Sequence, residues 1–476
     1  MAGAPQWVLQ RRAHAEEQVE SRGLPQPHWE AWRGCDLGAL TPSRLTSVAA
    51  PALASSVAPA AARGAGAVTD PSSDPLRGPI GLLPAPLCDA ASARLLFVDG
   101  RLTSPVEASE WPPGVTVSVL SGVGAADAHD TTATTAAVTT AAAPEGSAAV
   151  ASDQAASLWQ GDGWAASHLG AHAKADELPL AALNLARTRE VVVIHVAAGI
   201  EVAEPLLIGS YCSAAAAGQA VYPRVLLCAE PGSRIGVIEW CSGAAASDYL
   251  HIPVYELAID RGARVEWTRL SEEGEVGRQF ATLRATVQAD GELALHSHLD
   301  GGAQVRADLG VVLAGSNAGA DLSGLVLGKD ASYLDHHTAI WHCAAETYSR
   351  QLFKGVLDES ACGLFDGASH VAEQAQRIQA EQQCRNLLLS DTAQARMVPR
   401  LEIYADDVRC SHGATSGELD EQAIFYMRAR GIDAAVARLL LTEAFAEGAI
   451  AAGPCAVAAA YQRQQLRRFL PGGEAL

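Results

Sequence analysis

Between residue 191 and about His370 the chain runs as short stretches rich in Val, Leu and Ile, broken by Gly, Asp and Asn, with no helical periodicity between them. The clearest are residues 191–196, 225–228, 254–259, 265–270, 293–299 and 309–313. Branched apolar residues in runs of this length favour extended backbone, and their regular recurrence predicts an all-β architecture. Spacing alone leaves a sandwich, a propeller and a solenoid open. The Asp290-Gly291 and Asp366-Gly367 pairs would favour hairpins.

The flanks read differently. Residues 7–21 are rich in helix formers and stop at Gly23-Leu24-Pro25, which predicts a short N-terminal helix. Residues 34–86 are dense in Ala, Pro, Gly and Ser and read as a linker or a loosely packed layer. Residues 94–102 read as a strand, an Asp99-Gly100 turn and a strand start. Residues 122–156 are almost entirely Ala, Thr, Ser and Gly, with too few large apolar groups to offset the entropy of ordering them, so disorder is expected there. After Gly417 the period becomes helical. Asp420 is placed to cap a helix through Arg430 that Gly431 ends, and Asp433 to cap the next, with Val436, Leu439 and Leu440 on one face. The expected division is therefore a mixed N-terminal region over 1–120, a low-complexity insertion over 121–157, a β core over 158–416 and a helical domain over 417–476.

A formal net charge of −20 argues against a nucleic-acid partner, which needs clustered Lys and Arg. The ten cysteines contain no CxxC pair, and their scatter fits a reducing compartment in which most thiols act as small buried hydrophobes. No run of about 20 uncharged apolar residues predicts a membrane span. The N-terminus shows neither a secretory apolar segment nor the long Ser- and Arg-rich opening of a plastid transit peptide.

The chemistry-bearing residues cluster in the second half. Cys410 and His412 stand two apart in an alternating segment, so they share one face, and a thiolate with an imidazole suits iron, zinc or copper. Two ligands do not close a site. Asp406 and Asp407 are adjacent, which in a strand points them to opposite faces and suits a turn better than a catalytic pair. His296 and His298 share a face, as do Asp335 and His337. With His336 and His342 they could ligate a metal if folding converged them, or form polar rungs. Gly324-Leu325-Val326-Leu327-Gly328-Lys329 lacks both the four-residue spacing and the Ser or Thr of a phosphate loop, so ATP hydrolysis by this chain is not expected.

Several ordered blocks resemble the SufB/SufD family of the SUF iron-sulfur cluster assembly machine. They are the segment Leu401 to Thr415 around Asp407-Val408-Arg409-Cys410-Ser411-His412-Gly413, the run Tyr348 to Gly355, the turn expected at Gly363-Leu364-Phe365-Asp366-Gly367, Asn386 to Ser390, and Phe425 to Ile432. The resemblance is nearer the SufD branch, because Gly23-Leu24-Pro25 with Trp29 and Trp32 is similar to its opening segment and no SufB-like cysteine-rich pattern is present. It implies a mainly β fold, a right-handed parallel β-helix with a mixed N-terminal region and a C-terminal helical domain. It also implies a non-catalytic scaffold that pairs with a SufB-like subunit. By resemblance His412, with Cys410 secondary, faces the shared interface where a nascent cluster or iron would sit, and His412 is the metal candidate. No cofactor held firmly by this chain alone is implied. Residues 425–448, with Phe425, Tyr426, Arg428 and Arg430, match the region that docks the SufC-like ABC ATPase. The Ala- and Thr-rich insertion leans toward a plastid stroma, with the bacterial cytoplasm as the alternative. A β-helix polysaccharide-active enzyme, with His412 and acidic residues in a cleft, is the rival reading from another class.

Overall fold

The computed structural model describes residues 5–32, 35–45, 81–103, 111–121, 135–138 and 163–470. Its core is a parallel β-solenoid built on two sheets, and successive strands alternate between them. The front sheet runs from Ala93–Val98 through Leu206–Cys212, Arg234–Gly243, Arg264–Glu273, Glu292–Gly301, Gly319–Gly328, Tyr348–Leu357 and Ile378–Leu388 to Val408–Gly417. The back sheet runs from Val115–Ser121 through Glu190–Val196, Arg224–Ala229, Val254–Ile259, Arg278–Val287, Gln304–Leu313, Tyr333–His342 and Cys362–Val371 to Gln394–Ile403. The chain returns to the same position in the back sheet after 26 residues at its tightest, Arg278 opposite Gln304, and after 33 at its loosest, Val191 opposite Arg224.

This arrangement settles which β architecture the short runs build. Alternate residues of each strand point into the lumen, where Trp267, Leu295 and Leu322 of the front sheet pack with Tyr255, Leu283 and Leu309 of the back sheet in one continuous core. Each fully buried side chain of this size contributes about 1.5–3 kcal/mol. The corners between sheets carry a residue in the left-handed region: Asp290, Asn317, Asp330, Glu346, Glu359 and Arg377, with φ between 51° and 62°. These corners turn the chain onto the other sheet, so Asp290-Gly291 makes a coil corner and no hairpin. Asp366-Gly367, expected as a turn, lies inside the strand Cys362–Val371. Its glycine is needed for space, since a Cβ there would meet Gln382 Nε2 at 2.1 Å and Phe365 at 2.6 Å. Asp99-Gly100 does form the expected tight turn, with Val98 paired to Arg101 and both turn residues at positive φ.

Both outer sheet faces are covered. Helix Gln6–Arg22 and helix Pro179–Arg187 lie over the start of the back sheet, with Val8, Ala15, Leu185, Val193 and Leu226 in one cluster. Residues 29–32 and 35–45 continue the cover, burying Trp32, Cys35, Leu40 and Leu45 against Tyr222 and Phe280. Within residues 34–86, then, the part from 35 to 45 is packed, while 46–80 lies outside the described residues. The β core also begins earlier than residue 158, because Ala93–Val98 and Val115–Ser121 belong to its two sheets. In the expected disordered stretch, 135–138 forms a strand antiparallel to Val115–Ser121, and the rest of 122–156 lies outside the described residues.

Three C-terminal helices, Glu421–Arg428, Ala434–Ile450 and Ala456–Phe469, follow the last coil. Asp420 Oδ1 accepts from Gln422 N at 2.8 Å and Asp433 Oδ1 from Ala435 N at 2.8 Å, so both caps form where the sequence places them. The second helix buries Leu439, Ala446 and Ile450 on Leu325, Leu327 and Val356 of the front sheet. Leu440, assigned to the same face, is instead exposed, because Thr442 and Ala449 take the inward positions.

One buried ion pair ties the N-terminal cover to the solenoid. Arg224 Nη2 meets Glu256 Oε1 at 2.6 Å with neither side chain exposed, and the carboxylate also accepts from the backbone N–H groups of Gly170, His172 and Ala173. Burial alone would raise the Glu256 carboxyl, yet Arg224, His172 and those N–H groups bring it below its ordinary value. Arg224→Met should therefore strand a buried carboxylate and lower stability by about 3–5 kcal/mol in urea denaturation. A loss under about 1 kcal/mol would show that solvent reaches Glu256.

Candidate functional site

The two last strands, Gln394–Ile403 and Val408–Gly417, each pair on one side only, so the solenoid ends in an open rung. A parallel coil that stops this way leaves a row of backbone donors and acceptors and the last layer of the lumen uncovered. Val398, Ile403 and Tyr404 are exposed there, Tyr404 to 69%.

Cys410 and His412 both lie on the last front strand. The register sets Cys410 beside Ala380 and His412 beside Gln382, so both belong to the lumen-facing side. Cys410 is half-buried against Val371, Ile378 and Ala405, and burial raises its thiol. His412 is exposed at the rim. Going down the lumen from His412, the same front-sheet position is filled by Gln382, Gln351, Leu322, Leu295 and Trp267. The lumen thus turns from apolar to polar as it nears the open end. Gln351 is satisfied by Thr338 Oγ1, which donates to Oε1 at 2.7 Å. Gln382 is 1% exposed, and neither its Oε1 nor its Nε2 has a hydrogen-bond partner among the described residues. A buried amide without partners costs roughly 1–3 kcal/mol, so this end of the lumen is chemically incomplete as it stands.

The other candidates separate. Asp406 and Asp407 sit exposed in the turn before the last strand, where the Asp407 carbonyl accepts from Arg377 N at 2.6 Å. His296 and His298 face outward from the front sheet and are buried beneath the C-terminal helices, with Gly453 close to the His296 ring. Asp335 and His337 face outward from the opposite sheet, where Arg306 Nη1 meets Asp335 Oδ2 at 2.9 Å. His336 points into the lumen, 2.9 Å from Ser297 Oγ, and His342 lies between Thr347 and Ser349. Folding distributes these histidines over three faces and converges no ligand set from them. Gly324 to Gly328 lies in a strand with no phosphate-cradling loop.

On the C-terminal helices, Phe425 and Tyr426 are 72% and 58% exposed. Arg430 stacks on Tyr426 with its guanidinium 3.4 Å from the ring centroid, and Arg428 is exposed on the same helix. An aromatic pair left in water beside two arginines has the composition of an interface hot spot.

Residues 211–445 match the family model for the SUF system FeS cluster assembly SufBD core domain. By this core the chain belongs to the SufBD family. The match covers the solenoid from Leu206–Cys212 onward and reaches into the second C-terminal helix. The chain is 31% identical over 270 residues to the iron-sulfur cluster assembly protein SufD of Escherichia coli, covering 56% of this chain and 63% of that one. It is 32% identical over 225 residues to protein ABCI7, chloroplastic, of Arabidopsis thaliana, covering 47% of each. A SufBD family protein of Synechocystis is 28% identical over 293 residues, covering 59% of this chain and 64% of the relative. The matched segments thus span between about half and two thirds of these relatives' own lengths.

Sequence reasoning singled out His412 and missed Gln382. The signal was present: Gln351, Gln382 and His412 follow one another at 31 and 30 residues, which is the coil period. Reading it requires knowing that the chain coils.

Proposed function

We propose that this SufBD protein is a SufD-like, non-catalytic scaffold subunit of a SufBCD-type complex. The observation that carries the reading is the open rung, with His412 above a buried, unpartnered Gln382. A SufB-like subunit pairing its own end against the strands Gln394–Ile403 and Val408–Gly417 would satisfy the free backbone groups, cover Tyr404 and Ile403, and enclose His412 in a shared cavity. An imidazole there can ligate iron or move a proton, so the nascent cluster, which is the complex's cargo, is held between the two subunits with Cys410 in a secondary place.

The exposed face of Glu421–Arg428, with Phe425, Tyr426, Arg428 and Arg430, is the docking surface for a SufC-like ABC ATPase, which supplies the ATP hydrolysis. Because Ala434–Ile450 is seated on the front sheet, a displacement at that surface has a packed route to the solenoid. No helix among the described residues is long and apolar enough to cross a membrane. A plastid stroma, as for the chloroplastic relative, is the favoured location, with the bacterial cytoplasm as the alternative.

Mixing the chain with SufB and SufC homologues and resolving the mixture by size-exclusion chromatography tests the reading; a folded chain that elutes alone would defeat it. Phe425→Asp combined with Arg428→Glu should weaken SufC binding by at least about tenfold, as expected for a hot-spot aromatic. The fold should be unaffected, because both side chains stand in water. Unchanged affinity in a calorimetric titration would move the docking surface elsewhere.

A further inference from the structure

A second polar site lies inside the solenoid, far from the open rung in sequence. Cys241 points into the lumen from Arg234–Gly243, Glu273 ends the next front strand, and His251 comes from the short strand Leu250–His251 beside the back sheet. All three are buried, and one ligand atom from each lies within 4.8 Å of the other two. We propose that Cys241, His251 and Glu273 bind a divalent cation of the zinc and ferrous class, a site separate from the cluster interface and independent of the scaffold reading.

Three observations support it. The first is the donor set. A thiolate, an imidazole and a carboxylate suit a borderline divalent ion, and one thiolate with one carboxylate neutralises it, which is what a buried site requires. Tetrahedral bonds of 2.0–2.3 Å set ligand atoms about 3.3–3.8 Å apart. His251 Nδ1 and Glu273 Oε1, a hydrogen-bonded pair at 2.8 Å, have to open by about 0.5 Å, and Cys241 Sγ has to draw in, releasing its hydrogen bond to Glu239 Oε1 at 3.4 Å.

The second is the supporting shell. Ser210 Oγ lies 2.8 Å from His251 Nε2, on the far side of the ring from Glu273. Tyr249 Oη donates to Glu273 Oε2 at 2.6 Å, behind the ligand oxygen; Gln279 Nε2 donates to Oε1 itself and stands 3.2 Å from His251 Nδ1, so this amide has to swing away as the cation enters. A ring nitrogen and a carboxylate oriented from behind in this way are the usual backing of metal ligands. On binding, the thiol proton is released to solvent, the imidazole proton passes from Nδ1 to Nε2 by exchange with water, and Ser210 Oγ accepts from Nε2–H. The nearby charges of Arg269 and Glu239, 3.5 Å apart, cancel each other.

The third is access. Glu273 also lines a cavity of about 450 Å³ between the front-sheet corners and helix Ala456–Phe469, together with Glu272, Glu275 and Asp300. Lys329 and Arg468 share the lining, and the excess of carboxyl groups over these two cations favours a divalent ion at the mouth of the site.

The test uses the full chain, freed of metal with a chelator and titrated anaerobically with Co2+. One equivalent should bind with a thiolate-to-cobalt charge-transfer band that Zn2+ displaces. The band should vanish in Cys241→Ser and persist in a Cys410→Ser, His412→Ala double variant. Ser210→Ala should weaken binding by roughly 10–100-fold with the band retained. Glu273→Gln keeps the side-chain shape and should weaken binding at least tenfold, which reads the site even where Cys241→Ser does not fold. Absence of the band in the wild-type chain, its survival in Cys241→Ser, or unchanged affinity in Glu273→Gln would each reduce the cluster to a hydrogen-bond network. None of these readings involves partner binding, so this site and the scaffold role stand or fall separately.

Discussion

Lowering the pH from 7.5 to 4.5 should cost this chain most of its stability. His296 and His342 are pushed down to about 4, and His298 and His337 to about 3, chiefly by burial, with neighbouring His296 adding to the shift at His298 and Arg306 to that at His337. His336 is likewise held well below its ordinary value, by burial and by Arg269. In the unfolded chain the same imidazoles take up protons near pH 6.5, so their contribution is fully present above that value and is lost as pH falls toward the folded values. Each such histidine changes stability by about 1.4 kcal/mol per pH unit within that window. Two buried carboxyls act in the opposite sense. Asp335 is raised to about 6 by burial, against the pull of Arg306, and Glu272 to about 7 by burial and Asp300, so both favour the folded chain at low pH. Five histidines against two carboxyls leave a net slope of about 4 kcal/mol per pH unit between pH 6 and 4.5. His168 and His172 add to the loss, while Asp99 and Asp366 subtract from it. Circular-dichroism melts across this range should show Tm falling steadily; a flat profile would mean that the buried rings are reached by water.

His412→Ala should abolish most cluster assembly while leaving the complex intact. The ring is exposed, makes no hydrogen bond among the described residues, and lies at the last rung, so its removal costs the fold no more than about 0.5 kcal/mol. At a shared interface it would be a ligand or proton carrier, and the loss of such a group typically lowers metal affinity by at least about 10–100-fold. Iron and sulfide content of the anaerobically reconstituted complex should drop to about a tenth or less of the wild-type value. ATP hydrolysis and co-elution should persist. Cys410→Ser should be milder, since Cys410 packs against Val371 and Ile378. Wild-type cluster yield in the His412 variant would remove this residue from the mechanism.

The strands were legible because Val265, Leu293 and Leu309 and their neighbours combine apolar runs with regular spacing, and the caps Asp420 and Asp433 were legible because capping is local chemistry. Asp290-Gly291 misled because a coil corner and a hairpin ask the same of the backbone at one residue and differ only in where the next strand pairs, and Asp366-Gly367 because its glycine makes room for Gln382 and Phe365 inside a strand; both are non-local facts. The same limit hid Gln382 and the Cys241–His251–Glu273 cluster. Their members lie on different strands or coils, and no local pattern brings them together. His412 was legible only through its wording, and its place above an unpartnered amide emerged from the register of strands 30 residues apart.

The two ends of the solenoid differ in how they are finished. At the N-terminal end both sheets finish in reversed pairings, Arg101–Leu102 on the front and 135–138 on the back, while the C-terminal end stops in mid-ladder. In the language of polymer chemistry the described residues make a monofunctional monomer. On the scaffold reading proposed above it would form one end-to-end bond and then act as a chain stopper, giving a pair where a bifunctional coil would give a fibre.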